Sequence, residues 1–363
     1  MPPPTQQRQA RPSRGFWAEA WRRYQRRPLA MAALGFVGFL VTVALLAPAI
    51  AGTKPVICRY KGQLSMPCLG YFHRAWEPTV FARDRFRGTY PRNLVEKDPD
   101  SWAVWPLFFQ DPYRAVRDDE WPGLPGNPAK DEGRPSRRNP FGTDQAGVDV
   151  LAKMVHGTTV ALLVGFVSMG IAGTIGIVVG AIGGYFGGWI DTLTSRVTEI
   201  VMCIPTLVLI LAIIAILEKP TIWHTMAIIG ATGWTGIARL TRGEFLRLKT
   251  SEFVMAARAA GAGPTRIMLR HILPNALAPV LVPITFGIAA AILVESSLSF
   301  LGFGPPPPTA SWGSILNDAR SNPAMWWLVV FPGTAIFLTV LAYNLIGEGL
   351  HEATDPRLRE ARK

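Results

Sequence analysis

The chain has 363 residues, of which 49% are hydrophobic and only 17% charged, yet its formal charge is +12. So basic a balance points to a nucleic-acid partner, whereas a mean hydropathy of +0.22 and 12 Trp point to a membrane. The apolar content excludes a disordered chain, 35 Gly without a period of three exclude collagen, and 3 Cys are too few for a disulfide scaffold.

In chain order, charge-free apolar runs occupy residues 29–51, 157–190, 200–217, 220–238, 276–294 and 325–346. The first is 23 residues long, enough to cross a hydrocarbon core of about 30 Å as a helix. Its basic start and Ala49-Ile50-Ala51 resemble a signal peptide, but the run is longer than the ~7–15 residues of a signal core, so a retained anchor is expected. The second run is too long for one upright span, and its end, Gly183 to Trp189, reads as an interfacial turn. The expected fold is an all-α polytopic membrane protein with six transmembrane helices.

Lys and Arg in the short loops set the orientation. The tail 1–28 has seven Arg against Glu19 and is expected inside. Segment 52–156 is then outside, the 184–199 turn inside, and the 218–222 loop outside. The 239–275 loop, with seven Lys/Arg against Glu244 and Glu252, is inside, the 302–324 loop is outside, and the tail 351–363 is inside. Both termini are thus expected in the cytoplasm. The chain divides into a tail (1–28), a first transmembrane helix (29–51), an extracytoplasmic insertion (52–138), a core of five further helices (139–350) and a second tail (351–363). The two tails and the 239–275 loop together carry the whole excess of +12, so the charge is a topology signal and no nucleic-acid partner is expected.

The insertion is rich in Pro, Trp and Arg without a helical period, and reads as a small ordered unit or an irregular cap. Cys58 and Cys68 lie in it, on the oxidising side, and a disulfide between them is expected. Cys203, in the third run, reads as a buried apolar residue. After the insertion, residues 139–144 form a turn, with Thr143 or Asp144 as the expected cap of a short surface helix in which Asp149 and Lys153 pair. Small residues recur every fourth position at Ser168, Ala172, Gly176, Gly180, Gly184 and Gly188, a pattern that lets a neighbouring helix approach closely in lipid. Glu295 is the carboxylate within the fifth apolar stretch, a pathway or paired structural site if not at headgroup level. Pro205, Pro279, Pro283 and Pro332 are expected to kink their helices.

The most informative segment is 251–274. Residues 252–260 form an Ala-rich helix, which Gly261 can end in a left-handed conformation. Pro264 can restart a helix at its first position, on which Arg266 and Arg270 lie one turn apart. The plain alternative is a basic connecting loop. A 37-residue loop with its own helices is more than a connection.

Met255-Ala256-Ala257, Gly261 and His271-Ile272-Leu273-Pro274 resemble the EAA loop of ABC-importer permeases, whose pattern is Glu-Ala-Ala, three residues, Gly, nine residues, then Ile-x-Leu-Pro. The first Glu is Met here and the Ile is His. Residues 140–144 (PFGTD), 149–151 (DVL), 184–188 (GYFGG), 298–302 (LSFLG), 311–313 (SWG) and 355–357 (DPR) resemble the C-type permease of dipeptide and oligopeptide importers. Lys54-Pro55 and residues 59–62 (RYKG) are similar to the long-loop, Yej-like variant.

The resemblance implies a type I ABC importer permease fold and half of a pore, completed by a homologous B-type permease. It implies two ATP-binding subunits and an extracytoplasmic peptide-binding lipoprotein, in a bacterial inner membrane. Met255, Ala256, Ala257, Arg258 and Gly261 would contact the ATPase, flanked by Arg266 and Arg270. The chain has no phosphate-binding G-x-x-x-x-G-K-[ST] loop, so ATP and Mg would be held by the partner subunits and no cofactor by this chain. Nickel or another small solute is the alternative cargo. A membrane enzyme is disfavoured, because His73, His156, His224, His271 and His351 have no ligand spacing. A secondary transporter would need more intramembrane charge than Glu295 supplies.

Overall fold

A computed structural model of the chain describes residues 16–84, 86, 90–118, 120–121, 125–128, 133–217, 220–306 and 309–354. The DPR motif at 355–357 and residues 1–15 lie outside the described residues. Helix α1 (Phe16–Tyr24) leads into α2 (Pro28–Ile50), which starts with Pro28 where its missing N–H costs little. An Arg27–Glu352 ion pair ties this entry to the far end of the chain.

The insertion is mixed rather than helical. Strands β1 (Ile57–Tyr60) and β2 (Gln63–Ser65) form a hairpin through Lys61 and Gly62, both at positive φ (48° and 77°), as a tight right-twisted hairpin demands. Two short helices, α3 (Thr79–Arg83) and α4 (Tyr90–Lys97), precede β3 (Trp102–Val104), and the sheet order is β2-β1-β3, antiparallel throughout. Cys58, Tyr60, Phe81, Phe86, Tyr90 and Leu94 form its own core. Asp111 Oδ2 accepts from Thr53 Oγ1 (2.8 Å) and Tyr71 Oη (3.0 Å), while Arg114 pairs with buried Glu120. The Tyr71 ring lies 5.1 Å from that of His156, whose Nε2 meets Ala51 O at 2.8 Å. This network fixes the insertion to the ends of two membrane helices.

Helix α5 (Val150–Phe186) is the central post, lying against α2 and later helices. Its start corrects three expectations. The cap is Asp149, whose Oδ1 accepts from Ala152 N (2.7 Å); Asp144 instead accepts from the amides of Ala146 and Val148 and closes the preceding turn. The expected surface helix is simply the first turn of α5. Lys153 does not pair with Asp149, whose oxygens are taken by Ala152 and Asn139, but with Asp144 and Asp318 (3.1 Å to the latter).

α6 (Gly188–Cys203) and α7 (Thr206–Ile216) follow, then α8 (Ile222–Thr232), α9 (Thr235–Leu248), α10 (Glu252–Ala259), α11 (Pro264–Arg266), a π turn (Ile267–Ile272), α12 (Leu273–Phe300), α13 (Trp312–Ser321) and α14 (Trp327–Thr354). All six apolar runs are helical. Among the described residues four helices are long and apolar enough to cross a membrane, and a fifth if α6 and α7, bent by 81°, form one span. The fourth run is divided between α8 and the start of α9, which soon becomes charged. Of the four prolines, Pro205 stands at the 81° break, whereas Pro279 and Pro283 lie within α12 and Pro332 within α14.

The small-residue row on α5 is a packing seam. A Cβ on Gly176 would stand 2.7 Å from Ile237 Cβ, one on Gly180 would strike Ala238 O, and one on Gly184 would stand 2.7 Å from Arg242 O. The seam thus seats α9 backbone to backbone. Gly230 repeats the device from α8, where a Cβ would stand 2.8 Å from Ser168 O. Gly188 is not part of it, being beyond the end of α5 at φ 55°.

Candidate functional site

The 239–275 loop is positioned by the seam. Arg242 grips Asp191 through two nitrogens, one at 2.7 Å, and Lys249 Nζ donates to Gly184 O at 3.0 Å. α9 ends at Leu248, and Ser251 Oγ donates to the Leu248 carbonyl at 2.5 Å before α10 begins. Helical phase does the rest: Val254 is fully buried, in a small core with Ala181, Phe245, Leu248, Ile267, Ile272 and Ala276, while Phe253 and Met255 on either side of it are exposed.

The helix stop is built as the sequence indicates. Gly261 takes φ 80°, its N–H donates to Arg258 O (3.0 Å), and Ala262 N–H donates to Ala257 O (3.0 Å). These two bonds satisfy the last carbonyls of α10 in the Schellman arrangement. Gly263 then caps α11, with Pro264 at its first position.

This turn displays one face. Met255 is 54% exposed, and Ala256, Arg258, Gly261, Arg266 and Arg270 are exposed as well, with Ala257 half-buried. Among the described residues none of Arg258, Arg266 and Arg270 is in an ion pair within the chain. The arrangement is a shallow Ala/Gly surface ringed by available guanidinium groups, suited to seat in a groove with acidic edges. It offers no nucleophile, and among the described residues no three His, Cys, Asp or Glu gather as a metal site.

The other singled-out residues lie elsewhere. Glu295 is 1% exposed near the end of α12, accepting from Ser299 Oγ (2.6 Å), which in turn receives Ser311 Oγ (3.2 Å). Its carboxylate is thus buried and hydrogen-bonded within the chain. The expected Cys58–Cys68 disulfide is not formed: both are free, buried thiols, and Cys68 Sγ is spent on Val56 O at 3.4 Å. Cys203 is exposed, not buried, because it stands at the α6–α7 break. Sequence reasoning missed the Asp191–Arg242 grip, whose partners lie 51 positions apart, beyond any local pattern.

Residues 176–360, just over half of the chain, match the model of the binding-protein-dependent transport system inner membrane component. The chain belongs to this family. Residues 15–62 of this permease also match the N-terminal TM domain of oligopeptide transport permease C. A dipeptide transport system permease protein DppC of Alkalihalophilus pseudofirmus is 40% identical over 64% of this permease and 77% of its own length. The DppC of Bacillus subtilis is 38% identical over 62% and 71%. A chain of the inward-facing MetNI methionine ABC transporter aligns with 55% of this permease and 97% of its own length, with 21% identity and a TM-score of 0.44. The permease is a multi-pass inner-membrane subunit, a transport component that works with ATPase and other partner chains.

Proposed function

We propose that the permease forms half of the pore of an ATP-driven importer of di- and oligopeptides. The observation that carries this reading is the 252–274 turn: a Schellman-closed helix, anchored by Val254 and exposing small and basic side chains, in a chain about 40% identical to dipeptide permeases. A homologous B-type permease completes the pore, two ATP-binding subunits dock on the turns, and an extracytoplasmic lipoprotein delivers peptide. Both termini and the 239–275 loop face the cytoplasm, as the charge distribution supports. Met255, Ala256, Ala257, Arg258 and Gly261 form the docking face, with Arg266 and Arg270 at its edge. Closure of the ATPase pair pushes α10, and the rigid α9–α5 seam passes the displacement into the bundle.

Co-purification tests this reading. The tagged permease, co-expressed with its neighbours, is expected to retain an ATPase, and ATP is expected to drive dipeptide uptake. Uptake of nickel but not peptide would replace the cargo, and a transporter active without an ATPase would remove the reading.

A further inference from the structure

The third apolar run does not form one helix. α6 and α7 meet at 81° around Ile204 and Pro205, and no side chain caps the break. Every residue from 202 to 208 is exposed, so the chain's own bundle leaves this stretch open on at least one side. A helix start leaves its first N–H groups, here those of Thr206, Leu207 and Val208, without partners in the helix. Non-helical backbone within a membrane is tolerated where it is buried in protein or lines a water-filled cavity, not against lipid.

A second feature chooses between those two. Beside the break a cavity of about 120 Å³ opens between α5, α6 and α9, in which Thr194, Ser195, Thr198, Glu199, Arg239 and Arg242 supply the polar part of the lining. Arg239 Nη1 reaches Met202 Sδ at 3.6 Å, joining the groove to the break. Its charged and hydroxyl lining suits water, and in the orientation proposed above both polar segments lie at the cytoplasmic end of the bundle.

We propose that the broken α6–α7 helix and this groove form the wall of the aqueous translocation path near its cytoplasmic mouth. The open amides and hydroxyls hold the main chain of a passing peptide, so that side-chain identity matters little there. The ligand rests on the peptide-import reading; the path itself does not.

Cys203 stands at the break and is exposed, whereas Cys58 and Cys68 are buried, so the native chain carries its own reporter. In inside-out vesicles containing the complete transporter, a charged, membrane-impermeant methanethiosulfonate is expected to modify Cys203. The mass addition should disappear in Cys203→Ser, and a saturating short peptide should slow it. Modification only by a lipophilic maleimide would place the break in lipid and overturn the proposal. Failure of both reagents, at Cys203 and at Thr206→Cys, would place it in a dry protein interface and overturn it equally. Charged-reagent modification that no peptide slows would leave the path standing and remove the peptide as its ligand.

Discussion

Gly261 is the residue on which the 252–274 turn depends, since φ 80° is a conformation only glycine adopts without strain. No atom lies within 4 Å of where a Cβ would be, so Gly261→Ala is strained by its backbone alone, at about 1–2 kcal/mol. That substitution is expected to weaken ATPase stimulation with little change in melting temperature. Gly261→Pro removes both the conformation and the N–H bond to Arg258, and is expected to abolish stimulation. The glycine and its role as a helix stop were legible, because a helix end writes itself locally. The N-cap of α5 was not: three candidate oxygens lie within seven residues, and burial of Asn139 against Asp149 decides among them.

Two titrating groups in the insertion give further checks. Burial, and then the neighbouring Cys68, push the Cys58 thiol up to about 11. At pH 8 the thiolate is therefore scarce, and iodoacetamide is expected to alkylate Cys58 only after denaturation, as mass spectrometry would show. Asp84 is held below the usual carboxylate range, first by the hydrogen bond from Lys61 and then by that from Tyr60. A carboxylate whose pKa is depressed in the folded state stabilises it above the unfolded pKa, near 4, and loses that contribution as pH falls through the folded value. Proteolysis of the 52–138 insertion should therefore accelerate below about pH 4, and Asp84→Asn should show that faster cleavage already at pH 7.

Among the elements, α5 carries the most consequence. Gly180→Leu would drive a side chain into the Ala238 carbonyl and Thr241, so the overpacked seam should cost about 1–3 kcal/mol or more and lower the melting temperature in detergent. Gly170→Leu, on α5 but outside the seam and with no atom within 4 Å of its Cβ position, should not. The four-residue spacing made this row visible in the sequence; which helix it receives was not visible, because α9 lies dozens of positions away. The same limit hid the insertion's sheet. Its strands are three and four residues long, too short for alternation to be read. Once folded, the Thr53–Tyr71–Asp111 network fixes that unit to α2 and α5, which suits a rigid surface on which the binding protein proposed above would dock. Deleting residues 60–135 is then expected to abolish binding-protein-dependent uptake while the ATPase still co-purifies.

Over the whole molecule, the apolar runs gave away the class. They say less about spans, since two of the six runs are broken or divided. Arg258, Arg266 and Arg270 remain without intrachain partners among the described residues, so replacing all three by Glu should reduce ATPase co-purification while leaving stability nearly unchanged, as exposed substitutions do. The central claim is that the 252–274 turn couples ATP hydrolysis to peptide import. Its most direct measurement is ATP-driven uptake of a radiolabelled dipeptide into proteoliposomes holding the complete transporter, wild type beside Gly261→Pro. The wild type is expected to accumulate dipeptide, and the variant to remain assembled as a permease pair yet lose both uptake and stimulated hydrolysis. Undiminished uptake by an intact Gly261→Pro transporter would contradict the account.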